Sequence, residues 1–149
     1  MMDTSEKLHF KIGLAGTYWD KKPIYSILVN DAIIETREIE SPTGEVFFAE
    51  FDIEVPEGPI PLKIRLENKH WTDTVQNDDN TAIVKDMLLN IKSVEIDEID
   101  LGTLIWSKSV FTGDDADRPV LDNCVDLGWN GTWALPLESP FYIWLLENI

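Results

Sequence analysis

The sequence predicts an all-β fold, a single-domain antiparallel sandwich of the jelly-roll kind. Three observations carry that expectation. Apolar and polar residues alternate at strand period two in one segment after another. Turn-forming clusters of Gly, Pro, Asn and Asp separate those segments at short spacing, as sandwiches require. No stretch displays a convincing helical period of apolar residues.

Taken in order, residues 1–7 form an N-terminal tail and residues 8–149 the sandwich domain. Leu8, Phe10, Ile12 and Leu14 alternate with His9, Lys11 and Gly13, giving a first strand with one buried face and His9 on its solvated side. Gly16 ends that run, and Tyr18 and Trp19 cap the core from a turn-like segment. Ile24 to Val29 starts a hairpin whose turn is Asn30-Asp31, both tolerant of left-handed backbone, and Ile33 begins the return. After the turn SPTGE, the run VFFAEFDIEV puts Phe47, Ala49, Phe51, Ile53 and Val55 on one face. The break PEGPIP is too proline-rich for any strand interior. Leu62, Ile64 and Leu66 then alternate with Lys63, Arg65 and Glu67.

Beyond a polar loop, Leu89 and Ile91 keep one phase while Val94 and Ile96 keep the other. A one-residue slip of this kind near Lys92-Ser93 is the trace of a β-bulge. A bend at Gly102 leads to a strand over Leu104–Trp106. Trp133, Leu135 and Leu137 alternate, with Pro136 placing that strand at an edge or near its end. FYIWLLENI is apolar on both faces and is expected to close the fold as a strand in mid-sheet.

Composition narrows the function classes. A chain of 149 residues is long enough to bury roughly two-thirds of its unfolded surface as one domain. A net charge of −16 repels phosphate backbones and anionic lipid, which disfavours nucleic acid as a partner. There is no run of 18 apolar residues, so no membrane insertion is expected, and the N-terminal MMDTSEKLHF has no secretory pattern. The single cysteine, Cys124, lacks a basic neighbour and reads as a buried, inert thiol.

Between the strand ending at Leu66 and the one containing Leu89 lies the loop that carries the chemistry. His70, Trp71, Asp73, Gln76, Asn77, Asp78, Asp79 and Asn80 crowd into it, and Asp86 stands just inside the next strand. Oxygen donors beside an exposed aromatic suit a hard cation or a sugar. The helix–loop–helix calcium motif is excluded, because the glycine and glutamate it needs are missing. A second acidic loop holds Asp114, Asp115 and Asp117. Catalysis has no support: His9 and His70 belong to no triad or metal-protease motif, and no phosphate loop exists. The chain is therefore expected to bind without breaking bonds.

The run from Arg65 to Gly102 resembles the small calcium-dependent xylan-binding modules. In that family a strand ending in Phe-x-Asn-Asp leads into a loop, and an Asp-Arg-Asn-Leu segment opens the next strand. Here Leu66-Glu67-Asn68-Lys69 stands at the first position and Asp86-Met87-Leu88-Leu89 at the second. Asn68, Asp86 and Leu89 match; Lys69 stands where an aspartate is expected, and Met87 and Leu88 replace Arg-Asn. The resemblance implies a carbohydrate-binding-module-like sandwich and a calcium ion held by aspartates, main-chain carbonyls and vicinal sugar hydroxyls. It makes Asp86 the first ligand candidate, with Asp73, Asp78 and Asp79 from the loop. Trp71 becomes a stacking surface for a sugar ring, and Asn68 and Asn77 further ligand-binding candidates.

The whole chain, with its ending SPFYIWLLENI and the segment LGWNGTW, also resembles short structural proteins of large tailed bacteriophages, some infecting cyanobacteria. That implies a virion accessory protein, made in the host cytoplasm, with other virion proteins of the capsid or tail as partners. A surface polysaccharide would meet the acidic loop edge. The alternative is a purely structural capsid decoration, head-fibre, neck or tail protein with protein contacts alone.

Overall fold

The computed structural model describes residues 5–149. Of the predicted tail, residues 1–4 lie outside the described residues, while Glu6 and Lys7 already belong to the first strand. The first half of the chain contributes β1 (Glu6–Thr17), β2 (Ile24–Val29), β3 (Ala32–Glu38), β4 (Phe47–Val55), β5 (Gly58–Pro59), β6 (Leu62–Leu66) and β7 (Val75–Gln76). The second half adds β8 (Ile83–Lys85), β9 (Leu88–Ile96), β10 (Ile99–Asp100) and the short α1 (Leu104–Ser107). The remaining elements are β11 (Val110–Gly113), β12 (Leu121–Asp122), β13 (Asp126–Leu127), β14 (Gly131–Leu135), β15 (Glu138–Ser139) and α2 (Phe141–Asn148).

Two antiparallel sheets face each other. One runs β10-β9-β1-β4, with β13 also paired to β9; the other runs β12-β11-β14-β6-β2-β3. Period-two alternation produces this arrangement. Leu8, Phe10, Ile12 and Leu14 of β1 are fully buried, as are Ile27, Val29, Leu62, Ile64, Leu66, Trp133 and Leu135 of the opposing sheet. All belong to one apolar cluster, in which each fully buried large side chain is worth about 1.5–3 kcal/mol over an exposed one. Phe10 stacks on its cross-strand partner Phe51 at 5.1 Å, and Tyr25 meets Phe47 at 5.7 Å across the sandwich.

Several local expectations hold. Asn30 and Asp31 both take positive φ, which joins β2 to β3 in the manner of a two-residue hairpin turn. The bulge falls where the phase slips: Gly13 pairs with Ser93 and Leu14 with Ile91, leaving Lys92 without an opposite number. A Cβ at Gly13 would sit 2.5 Å from Ser93 Oγ, so that hydroxyl would have to turn away to admit one. Pro136 follows directly on β14, which is an inner strand paired to β11 and β6 and simply ends there.

Two predicted strands are helices instead. Leu104–Ser107 forms the single turn α1 after Gly102, whose φ of +57° redirects the chain. FYIWLLENI forms α2, packed outside the sheets. An all-apolar segment fits a buried strand and a helix equally well, so its composition could not decide. Phe141 and Trp144 are buried at a spacing of three, while Tyr142, Ile143 and Leu146 face outward. The helix start is fixed from the other end of the chain: Glu6 Oε1 accepts from the Phe141 amide at 2.8 Å and from Ser139 Oγ at 2.6 Å. β1 also passes through Gly16 rather than stopping, and pairs Thr17 with Leu88. Among the described residues no helix is long and apolar enough to cross a membrane.

Candidate functional site

A cleft of about 520 Å³ opens at one end of the sandwich, between the loop after β6, the segment after β8, the loop after β11 and the turn before β14. Its construction starts where β6 runs out. Asn68 Oδ1 accepts from the Ile24 amide at 2.7 Å and Nδ2 donates to Lys22 O at 3.0 Å. The Asn68 amide is thus a brace between two strands and not a cleft-lining group. The next residue is clamped by Asn130, which accepts from the Lys69 amide at 2.7 Å and donates to Lys69 O at 2.9 Å.

Held in this way, the Lys69 side chain turns inward, with only 9% of its surface exposed. Its Nζ donates to Asp86 Oδ1 at 2.7 Å and to Gly128 O at 2.6 Å. Asp86, in the loop just before β9 rather than inside it, gathers two more donors on the same oxygen: Thr74 Oγ1 at 2.7 Å and the Met87 amide at 2.8 Å. Burial by itself would raise the Asp86 carboxyl. The hydrogen bonds from Lys69, Thr74 and Met87 together outweigh it and hold the pKa below the usual carboxylate value.

On one wall, Trp71 stands 79% exposed, the most open large aromatic of the site. It sits in a single 3-10 turn, Trp71–Asp73, capped reciprocally: the Thr72 amide donates to His70 Nδ1 at 3.3 Å and the His70 amide to Asp73 Oδ2 at 2.7 Å. Asp73 is therefore buried as a cap, with Lys21 Nζ at 3.0 Å from the same carboxylate. Trp19 donates to Asp73 O at 2.9 Å and carries Lys85 over its ring at 4.9 Å, which fastens β8 to the frame. Tyr18, by contrast, packs against the core as expected.

The opposite wall was not legible in advance. Trp129 rests on Phe111 at 5.7 Å, and the Arg118 guanidinium lies 4.6 Å over its ring. Gly113 makes room for it, because a Cβ would be 2.7 Å from Trp129 Nε1. That Nε1 is buried with no partner among the described residues. Asp114 is tied to Arg65 at 2.7 Å and lines the cleft beside Asp115. The run LGWNGTW, with small residues flanking an aromatic, was the available signal for Trp129 and Asn130.

Of the predicted metal ligands, only Asp86 lines the cleft. Asp73 is committed to its cap and to Lys21, and Asp78 and Asp79 are exposed in the turn between β7 and β8. Asn77 shapes that turn, accepting from the Thr81 amide at 2.9 Å, and stays outside the cleft. The predicted aspartate set is thus dispersed. Among the described residues no three His, Cys, Asp or Glu side chains converge on a point. A calcium ion wants six to eight oxygens, and the residues present do not fit one. Cys124, half-buried rather than buried, has a thiol pKa pushed up by desolvation, which keeps it unreactive.

No family model matches the chain, and no curated protein does either. Solved structures do share its architecture. vCBM60 in complex with galactobiose superposes with a TM-score of 0.54 at 12% identity, over 86% of this chain and 97% of that one. The selenomethionine form of vCBM60 gives 0.55 at 12% identity, over 87% and 90%; it belongs to a structure that links two families of calcium-dependent carbohydrate binding modules by circular permutation. The fold is that of these carbohydrate-binding modules. The all-β antiparallel sandwich read from the sequence is therefore the observed one.

Proposed function

We propose that the chain is a non-catalytic binding module whose cleft takes a polysaccharide segment between Trp71 and Trp129. The observation that carries this reading is the exposed ring of Trp71 on the wall of a cleft lined mostly by polar and charged residues. A sugar ring offers an apolar C–H face and a hydroxyl rim, and a cleft for it needs an aromatic platform together with fixed donors and acceptors. Trp71 supplies the exposed platform, and the exposed His70, Asp115 and Arg118 supply polar contacts at the rim. The shared architecture with vCBM60 supports the assignment.

Xylo-oligosaccharides and galactobiose are the first probes, the former from the sequence resemblance and the latter from the ligand of vCBM60. A glycan array, followed by titration of tryptophan fluorescence, should give a saturable signal. Trp71→Ala should weaken that signal at least tenfold with an unchanged melting temperature, since the side chain is 79% exposed. An array without any signal refutes the reading.

A second reading, a virion accessory or decoration role, has one observation in its favour. Tyr142, Ile143 and Leu146 expose an apolar strip on α2 suited to contact with other virion proteins. Mass spectrometry of purified phage particles tests it, and absence of the chain from them ends it.

A further inference from the structure

The oxygen cradle beneath the cleft already contains a cation. Lys69 Nζ lies 2.7 Å from Asp86 Oδ1 and 2.6 Å from Gly128 O, distances proper to charge-assisted hydrogen bonds. Its side chain is 9% exposed, and the backbone on which it is mounted is held on both sides by Asn130. We infer that the Lys69 ammonium is the resident cation of this site in place of a divalent metal, so that stability and ligand binding here are independent of calcium.

Three observations converge. A metal seated between Asp86 and Gly128 would overlap the ammonium or stand against it as a like charge. Asp86 Oδ1 is also occupied already. Asp86 Oδ1 serves Lys69, Thr74 and the Met87 amide together, an arrangement that suits a carboxylate neutralised by one positive charge. Finally, the buried loop carboxylate Asp73 has a lysine of its own in Lys21 at 3.0 Å. Lysine Nζ thus answers both Asp73 and Asp86, and the exposed Asp78 and Asp79 lie outside the cleft.

The inference concerns the same cleft as the proposed function, but its primary readout needs no glycan. The melting temperature of the full chain is measured at constant ionic strength with millimolar calcium chloride, with magnesium chloride, and with EDTA. The wild type should move by less than about 1 °C among the three. Lys69→Asp removes the ammonium and adds a carboxylate opposite Asp86. It should melt lower in EDTA and regain about 2 °C or more in calcium but not in magnesium. If that variant unfolds, the wild-type measurement still decides. A wild-type rise in calcium that EDTA reverses overturns the inference, as does a folded Lys69→Asp chain that ignores calcium. Loss of wild-type glycan binding in EDTA would overturn it too, whereas failure to find a glycan bears only on the proposed function.

Discussion

Truncation of Asp86 to alanine strands a cation. In the wild type the Lys69 ammonium has two acceptors, and the substitution leaves it with Gly128 O alone while keeping the side chain 9% exposed. Removing one partner of a buried ion pair costs about 3–5 kcal/mol. Asp86 is 20% exposed, so water reaches part of the gap and the lower end, about 3 kcal/mol, is expected. For a chain of this size each kcal/mol moves the midpoint by about 2–4 °C, giving a fall of about 6–12 °C. Lys69→Met should cost less, about 1–3 kcal/mol, because Asp86 keeps Thr74 and the Met87 amide. The assay is a double-mutant cycle by urea unfolding. Combining Asp86→Ala with Lys69→Met should cost about 1–3 kcal/mol less than the two singles added, since no stranded charge remains. Additivity within about 0.5 kcal/mol, or an Asp86→Ala penalty below about 1 kcal/mol, would refute the description of the pair as buried and mutually dependent.

Other expectations follow from the same contacts. Because the folded pKa of Asp86 is lowered, its stabilisation is whole above the ordinary value of 3.8 and drains away as pH falls through the lowered one. The stability gap between wild type and Asp86→Ala should therefore be constant at neutral pH and narrow below about pH 4, as read from denaturation midpoints. His9 behaves with the opposite sign. Hydrogen bonds to Asp52, and secondarily to Glu50, raise it above 6.5, so what it contributes is present below that pH and lost as pH rises through the raised value. An NMR titration of His9 should give a midpoint above 6.5, and Asp52→Asn should bring it down. Trp133, fully buried and donating to Cys124 O at 2.7 Å, should cost about 3–5 kcal/mol on truncation to alanine, measured by urea unfolding.

The β framework was readable because its signal is local. Leu8 through Leu14 and Phe47 through Val55 announce their buried faces by alternation, and the slip at Lys92 announces the bulge. The helices were not readable for an equally local reason. α1 is a single turn, too short for a period, and α2 is apolar all round, so nothing in FYIWLLENI distinguishes Phe141 and Trp144 from the exposed Ile143. Of the candidate residues, Trp71, picked out as an exposed aromatic, and Asp86, picked out by the family resemblance, both line the cleft. The destination of Asp73 was not legible, since its capping partner is local but its lysine, Lys21, comes from a loop 52 positions earlier. Trp129 and Arg118 escaped because a tryptophan among glycines and an arginine among aspartates carry no register. Only the fold of β11 against β14 sets them over one another.

The position of β1 has a consequence for synthesis on the ribosome. This strand precedes both of its partners in the chain yet occupies an interior lane, hydrogen-bonded on one flank to β4 and on the other to β9, with Glu6 engaged by residues 139 and 141. Until some eighty further residues have been translated, one flank of β1 is a bare row of peptide donors and acceptors, a template for mispairing between nascent chains. Slower elongation through the β6–β9 region would lengthen that vulnerable interval. The Glu6 latch can close only once residues 139 and 141 have been made.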